Sequence, residues 1–296
     1  MTTNKIIEGQ RRGETMTEMK IKALAPWFGG KRNLAPRIVE LLGSHSVYWD
    51  PFCGSMAVLM VKPSCRMETV NDLHQDLWNM ACVIQDRFSC LQLYKRLHRI
   101  LMHEELMAEA RDKTKEPYKP GVDRAFWYFI NSWIGRNGIA GTQDHNQHFC
   151  RRFTAKGGSP SVRLNSAITS IPAWRRRLKR VCILNTDAFE ILERINDTKD
   201  AAIYVDPPYF EKGSKYKHDF EPQDHDRLAK LLHRFKLARI VLSYYDHPRL
   251  KELYADWHRE EIVISKALAH QGARGKNKTK ATEVLLVNGQ IEQGLF

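Results

Sequence analysis

Apolar and polar positions along the chain alternate between two rhythms, one of short buried or alternating runs and one of three- and four-residue spacing. The first predicts strands and the second helices. Ala35 to Leu42 has the helical spacing and is stopped by Gly43. Ser46 to Asp50 reads as a strand that runs into a Pro/Gly turn, Pro51-Phe52-Cys53-Gly54-Ser55, and then an apolar helix, Met56 to Val61. Arg66 to Val70 is a second strand ending in Asn71-Asp72, and from Leu73 a long helix carries Leu77, Met80, Ala81 and Ile84 on one face. Strand, helix, strand, helix at this spacing predicts a βαβ unit.

The rhythm breaks between about residues 91 and 181. That stretch has a charged helix, a polar segment from Arg111 to Asp123, an aromatic block Phe126-Trp127-Tyr128-Phe129, a Gly/Asn/Gln/His-rich section from Gly135 to Gly158, and a basic end at Arg175, Arg176, Arg177, Lys179 and Arg180. It reads as a separate, irregular, basic insert, with Trp127 and Phe129 in a core and the closing arginines on a solvated helix face. The α/β pattern then resumes with strands at Val181–Leu184, Ala201–Val205 and Arg239–Ser243. Helices fall at Asp224–Phe235 and Pro248–Ala255, and Glu261–Ser265 and Glu283–Val287 form a closing strand pair. The predicted class is α/β. Residues 1–20 form a flexible tail, 21–90 and 181–296 one domain, and 91–180 the insert.

Composition narrows the function. The chain has 296 residues, 43% of them hydrophobic and 27% charged, which excludes overall disorder. No apolar run approaches the roughly 18 residues of a membrane helix, and the first twenty residues lack a secretory apolar stretch. Six cysteines without a C-x-x-C pair give neither a zinc ribbon nor a disulfide scaffold, and a reducing cytoplasm is expected. A net charge of +13 provides a long-range field attractive to phosphate backbones.

The sharpest chemical signal is Asp206-Pro207-Pro208-Tyr209, directly after a buried strand. Open sheets place ligands at the carboxyl ends of strands. The two prolines remove donors and leave rigid carbonyl acceptors beside an aromatic ring. Two acceptors next to a stacking face suit a planar base with an exocyclic amino group. Asp50-Pro51-Phe52-Cys53-Gly54-Ser55 is a strand-to-helix glycine turn without the G-x-G-x-x-G or Walker pattern. Asp72 ends the next strand about 20 residues on, where an acid commonly meets ribose hydroxyls, and N-capping the following helix is the other reading. In Pro26-Trp27-Phe28-Gly29-Gly30-Lys31, aromatics can cover a ring or a sulfonium and Lys31 can meet a carboxylate. Asn185-Thr186-Asp187-Ala188-Phe189 places one more acid at a strand end, as an adenine acceptor or a helix N-cap.

Taken in order, these segments, with Ser243-Tyr244-Tyr245-Asp246 and Thr282 to Asn288, resemble the Dam-like DNA adenine N6-methyltransferases over most of the chain from about residue 21. The resemblance implies a Rossmann-like methyltransferase fold, a mixed sheet with helices on both faces, and target recognition by a smaller helical and loop insert. It implies S-adenosyl-L-methionine as cofactor, double-stranded DNA as partner, no metal, a monomer or weak dimer, and a bacterial or phage-infected cytoplasm. By similarity Trp27, Gly30, Lys31, Asp50, Phe52, Gly54, Ser55 and Asp72 serve the cofactor, with Asp187, Ala188 and Phe189 at its adenine. Asp206, Pro207, Pro208 and Tyr209 hold the target base, and Asp206 also borders the cofactor.

Two departures stand out: Met56 occupies a position where the family usually has glycine, and Ile134 to Gly138 only partly matches the segment that reads GATC. DNA grip is expected from Arg136, Arg151, Arg152 and Arg163, which lie among Asn137, Gln143, Asn146 and Gln147. The loop of Arg274, Lys276, Lys278 and Lys280 adds phosphate contacts. The competing readings are an amino-methyltransferase of cytosine N4 or of RNA, and a catalytically silent DNA-binding relative.

Overall fold

A computed structural model describes residues 19, 21–135, 149, 159–210, 220–265 and 280–289. The expected tail lies outside these residues apart from Met19. In chain order the elements are α1 (Ala35–Leu42), β1 (Val47–Asp50), α2 (Ala57–Val61), β2 (Met67–Asn71), α3 (Gln75–Gln85), α4 (Arg87–Leu97), α5 (Glu104–Lys115) and α6 (Val122–Ile134). There follow α7 (Pro160–Leu178), β3 (Val181–Leu184), α8 (Ala188–Arg194), β4 (Ala201–Val205), α9 (Pro222–Leu232), β5 (Arg239–Tyr245), α10 (Pro248–Leu253), β6 (His258–Ser265) and β7 (Lys280–Val287).

The strands form one sheet in the order β3-β2-β1-β4-β5-β7-β6. The first five run parallel, and β7 lies antiparallel between β5 and β6. This is the expected α/β class with a mixed sheet. β4 sits centrally with all five residues buried because both faces are covered. Ala202 and Tyr204 join one core with α1 to α7, while Ala201, Ile203 and Val205 join another with α8 to α10.

The described part of the middle stretch is ordered helix, not irregular chain. Every residue of α6 from Ala125 to Ile134 is buried, with Trp127 and Phe129 in the core as expected. Its polar positions find partners within the fold: Arg124 pairs with Asp76, and Asn131 Nδ2 donates to Thr114 Oγ1 at 3.1 Å. The arginine run at the end of α7 is also more than a solvated face. The Arg177 guanidinium binds the Glu68 carboxylate through both nitrogens at 2.5 and 2.7 Å, and Lys62 Nζ meets the same carboxylate at 2.7 Å. Glu68 lies on β2, so this partner exists only through the fold.

Two tryptophans secure the segment that leads into Trp27. Trp133 Nε1 donates to the Leu24 carbonyl at 3.2 Å and Trp174 Nε1 to the Ile21 carbonyl at 2.7 Å. Their rings stack 6.3 Å apart. Leu24 N also donates to the Ser55 carbonyl at 2.9 Å, which ties this segment to the turn after β1.

Candidate active site

β1 and β4 are neighbours, yet the chain leaves β1 toward β2 and leaves β4 toward β5. The strand order therefore reverses between them, and a crevice opens at their carboxyl ends. Asp50 ends β1 and Asp206 follows β4. A cleft of about 220 Å³ lies there. Aromatic walls come from Trp27, Phe28, Phe52, Phe189 and Phe220, acids from Asp72, Asp187, Asp206 and Asp224, and, among the described lining residues, a single cation from Arg227. The strand ends 50–72 and the segment at 206 thus share one cavity, as the base-and-cofactor reading requires.

Asp206 is the centre of a buried network. Its Oδ1 accepts from Ser243 Oγ at 2.8 Å and lies 3.0 Å from Lys31 Nζ. Tyr204 O–H lies 2.9 Å from Ser243 Oγ, so the two hydroxyls form a chain toward the carboxylate. Lys31, only 6% exposed, also meets Glu283 Oε1 at 3.0 Å and donates to the Gly29 carbonyl at 2.7 Å. The Tyr209 hydroxyl sits between Asp206 Oδ1 and Glu283 Oε1, at 3.0 and 2.8 Å. Burial pushes the Asp206 carboxyl above the usual range; the Lys31 ammonium opposes this and the Glu283 charge adds to it. One ammonium faces two carboxylates, which leaves an anionic excess. Burial likewise drives the Asp50 carboxyl far upward, although it accepts from Tyr48 O–H at 3.0 Å.

Asp72 is oriented by backbone. Its Oδ2 accepts from Gly54 N at 2.9 Å and its Oδ1 from His74 N at 2.8 Å. Burial still outweighs those bonds and raises its pKa to about 6. The N-cap of α3 is His74, so the capping alternative for Asp72 does not hold. Asp187 does cap α8, accepting from Phe189 N at 2.7 Å, while also lining the cleft.

Gly54 has a left-handed backbone with φ 45°, and a Cβ there would stand 2.7 Å from Trp27 Nε1. The turn is open so that the indole can lie against it. Gly54→Ala is expected to cost about 1–2 kcal/mol for the backbone alone and to push Trp27 toward the cleft. A denaturant midpoint identical to the parent's would refute this contact.

The profile of the D12 class N6 adenine-specific DNA methyltransferases matches residues 27–270. The chain belongs to that family. The methyltransferase is also 23% identical over 293 residues to the type II methyltransferase M1.LlaDCHI of Lactococcus lactis subsp. cremoris, covering 92% of this chain and 96% of that one. Among solved structures, the precorrin 8w decarboxylase of Methanobacterium thermoautotrophicum aligns with a TM-score of 0.35 and 13% identity, over 94% of this chain and 93% of that one. No helix among the described residues is long and apolar enough to cross a membrane.

The methyltransferase brings Trp27, Phe52, Gly54, Asp72, Asp187, Ala188, Phe189, Asp206 and Pro208 to the cleft. Lys31, Asp50 and Tyr209 are buried behind it, and Gly30 and Ser55 line a neighbouring pocket. Pro207 is buried between Asp206 and Pro208. The Tyr209 ring is 3% exposed, with the Tyr245 ring edge-on at 4.7 Å and Lys31 Nζ at 4.9 Å. Met56 has φ 60°, the only left-handed non-glycine among the described residues. The turn thus keeps the backbone that suits a glycine. The left-handed cost of about 1–2 kcal/mol is offset by a side chain left 1% exposed, worth about 1.5–3 kcal/mol.

Three participants escaped the sequence reading as individual site residues. Glu283 and Ser243 come from strands far along the chain and meet Asp206 only in the fold. Asn71 is 1% exposed; its Nδ2 donates to the carbonyls of Pro51 and Thr186 at 2.9 and 3.0 Å, and its Oδ1 accepts from Thr186 N at 2.9 Å. It therefore locks together the loops after β1 and β3. A buried amide at a strand end, next to Asp72, was the available signal. The expected DNA contacts Arg136, Asn137, Arg151, Arg152, Lys276 and Lys278 lie outside the described residues.

Proposed function

We propose that the chain methylates N6 of an adenine everted from double-stranded DNA, with S-adenosyl-L-methionine as the methyl donor. The carrying observation is the single cleft that joins Asp206 and Pro208 to Asp72, Asp187 and aromatic walls at the sheet's switch point. The residues fit such a cofactor: the anionic excess around Asp206 suits a sulfonium, and Trp27, Phe52 and Phe189 are flat surfaces for its adenine and its cationic centre. Asp72 would meet ribose hydroxyls, and Asp187 with Ala188 and Phe189 the cofactor's adenine. When bound, the cofactor supplies an electrophilic methyl group.

The roles of the chain follow from its own groups. The adenine amino nitrogen is a poor nucleophile because its lone pair is delocalised. Asp206 and the Pro207 carbonyl would accept its two hydrogens and favour the reactive geometry. Asp206 would also stabilise positive charge as it develops on N6. It need not act as a strong base, since the methylated ammonium is acidic and loses a proton to water. Lys31 and Ser243 hold the carboxylate in place. Everting the base costs a few kcal/mol. Stacking on Tyr209 would return about 1–3 kcal/mol, which requires Tyr245 to move off that ring.

Incubation with DNA and S-adenosyl-L-methionine, followed by digestion to nucleosides, tests the assignment. N6-methyladenine is the expected product; N4-methylcytosine, or methylation confined to RNA, excludes it. Asp72 adds a pH signature. With a pKa of about 6, it loses its charge below that value, and calorimetric affinity for S-adenosyl-L-methionine should fall about tenfold by pH 5. Asp72→Asn should flatten the dependence. The raised value means the folded chain binds this proton more tightly than the unfolded one, so this group favours folding as pH drops from about 6 toward 3.8. Lost affinity over that window is then separable from lost stability. An affinity that stays flat down to pH 5 in the parent chain would exclude the contact.

A further inference from the structure

Beside the cleft lies a second cavity of about 470 Å³ with the opposite chemistry. Trp27 lines both. The charged residues lining the second are Lys22, Arg32 and Arg163, and no carboxylate is among its described lining residues. Lys22 and Arg32 flank the Trp27 segment and Arg163 comes from α7, far along the chain, so no basic run announces the three together. Lys22 and Arg32 are exposed, and neither has an ion-pair partner among the described residues. Elsewhere exposed arginines of the described chain repeatedly find acids, as Arg227 does with Glu193 and Arg194 with Glu190.

The pocket is also braced. Arg163 Nη2 donates to the carbonyls of Trp133 and Gly135 at 2.8 and 3.0 Å, which fixes its guanidinium at the end of α6. The bond from Trp133 Nε1 to Leu24 and the bond from Leu24 N to Ser55 join the other walls. A rigid cationic recess separated from the cleft by one indole ring has the chemistry of a backbone-phosphate seat. Such contacts set the register of a strand without reading its sequence.

We propose that this pocket seats a phosphodiester of the DNA strand that carries the target base, adjacent to the everted nucleotide. The inference rests on the reading of the chain as a base-everting DNA methyltransferase. It assigns Lys22 and Arg32 to strand positioning, with Arg163 as the fixed wall.

The test is the salt dependence of DNA affinity in the full chain. The double variant Lys22→Gln/Arg32→Gln should bind DNA at least about tenfold more weakly at low salt. Its slope of log affinity against log salt should be shallower by about 0.9 per lost contact. Melting temperature and affinity for S-adenosyl-L-methionine should not change. Arg234→Gln is the control, because Arg234 follows α9 at the amino edge of the sheet, away from the cleft. A parental slope in the double variant, or an equal loss in Arg234→Gln, overturns the proposal. A neutral methylphosphonate linkage beside the target adenine should reproduce the loss in the parent and add nothing in the double variant. Additive losses, or competition by inorganic phosphate without any linkage effect, assign the pocket to a free anion and overturn it. A parent that binds DNA but methylates no adenine refutes the chemistry while the slope comparison still decides this contact. A parent that binds no DNA overturns both.

Discussion

Asp206→Asn is expected to reduce methyl transfer about 10³-fold or more while the protein stays folded and retains most of its affinity for S-adenosyl-L-methionine. The substitution keeps the shape and one acceptor oxygen but removes the charge that would face a developing cation. Removing a single preorganised electrostatic partner of a transition state costs about 10²–10³ in rate, and loss of a full charge in a buried site belongs at or above the upper end. The fold should tolerate it. Lys31 keeps Glu283 at 3.0 Å and the Gly29 carbonyl, and Ser243 keeps an oxygen to bond. Single-turnover transfer beside calorimetric cofactor binding separates rate from affinity. Parental turnover in Asp206→Asn would end the assignment of Asp206.

Lys31→Met should act mainly on stability. Asp206 and Glu283 both lie within 3.0 Å of the Lys31 ammonium, and the side chains of Lys31 and Glu283 are about 5% and 4% exposed. Removing the ammonium leaves the buried Glu283 carboxylate and the half-buried Asp206 carboxylate sharing one tyrosine hydroxyl. Breaking a buried ion pair from one side costs about 3–5 kcal/mol. One carboxyl is then expected to take up a proton near neutral pH, since like charges at this range cannot both ionise cheaply. Lys31→Met/Glu283→Gln removes the surplus charge and should recover a large part of the loss. Chemical denaturation of the two singles and the double gives the coupling energy. Strict additivity would show that Lys31 and Glu283 do not interact in the way their distances indicate.

Much of the fold was legible because local patterning and tertiary context agree. Ala35–Leu42 has one apolar face and a glycine stop, and the helix forms between those residues. The continuous apolar run Ala201–Val205 predicts a strand covered on both faces, which is the position of β4 in the sheet. The burial of 122–134 is less legible, because the partners that let its polar residues be covered, Asp76 for Arg124 and Thr114 for Asn131, lie elsewhere in the chain. Arg177 looked like surface charge because its partner Glu68 lies 109 residues away.

The site divides along the same line. Consecutive residues carry one part of the chemistry unaided: the carboxylate, rigid prolines and aromatic ring of 206–209, the glycine turn after Asp50, and the acid at Asp72. These are local because a strand end and its turn are built from neighbouring residues. Folding alone lets Glu283 and Ser243 complete the Asp206 network, Asn71 tie two loops, Tyr245 cover Tyr209, and Arg163 join Lys22 and Arg32 in one pocket. Those groups converge through strand order and helix packing, and distances set between remote segments leave no mark on the local spacing of residues.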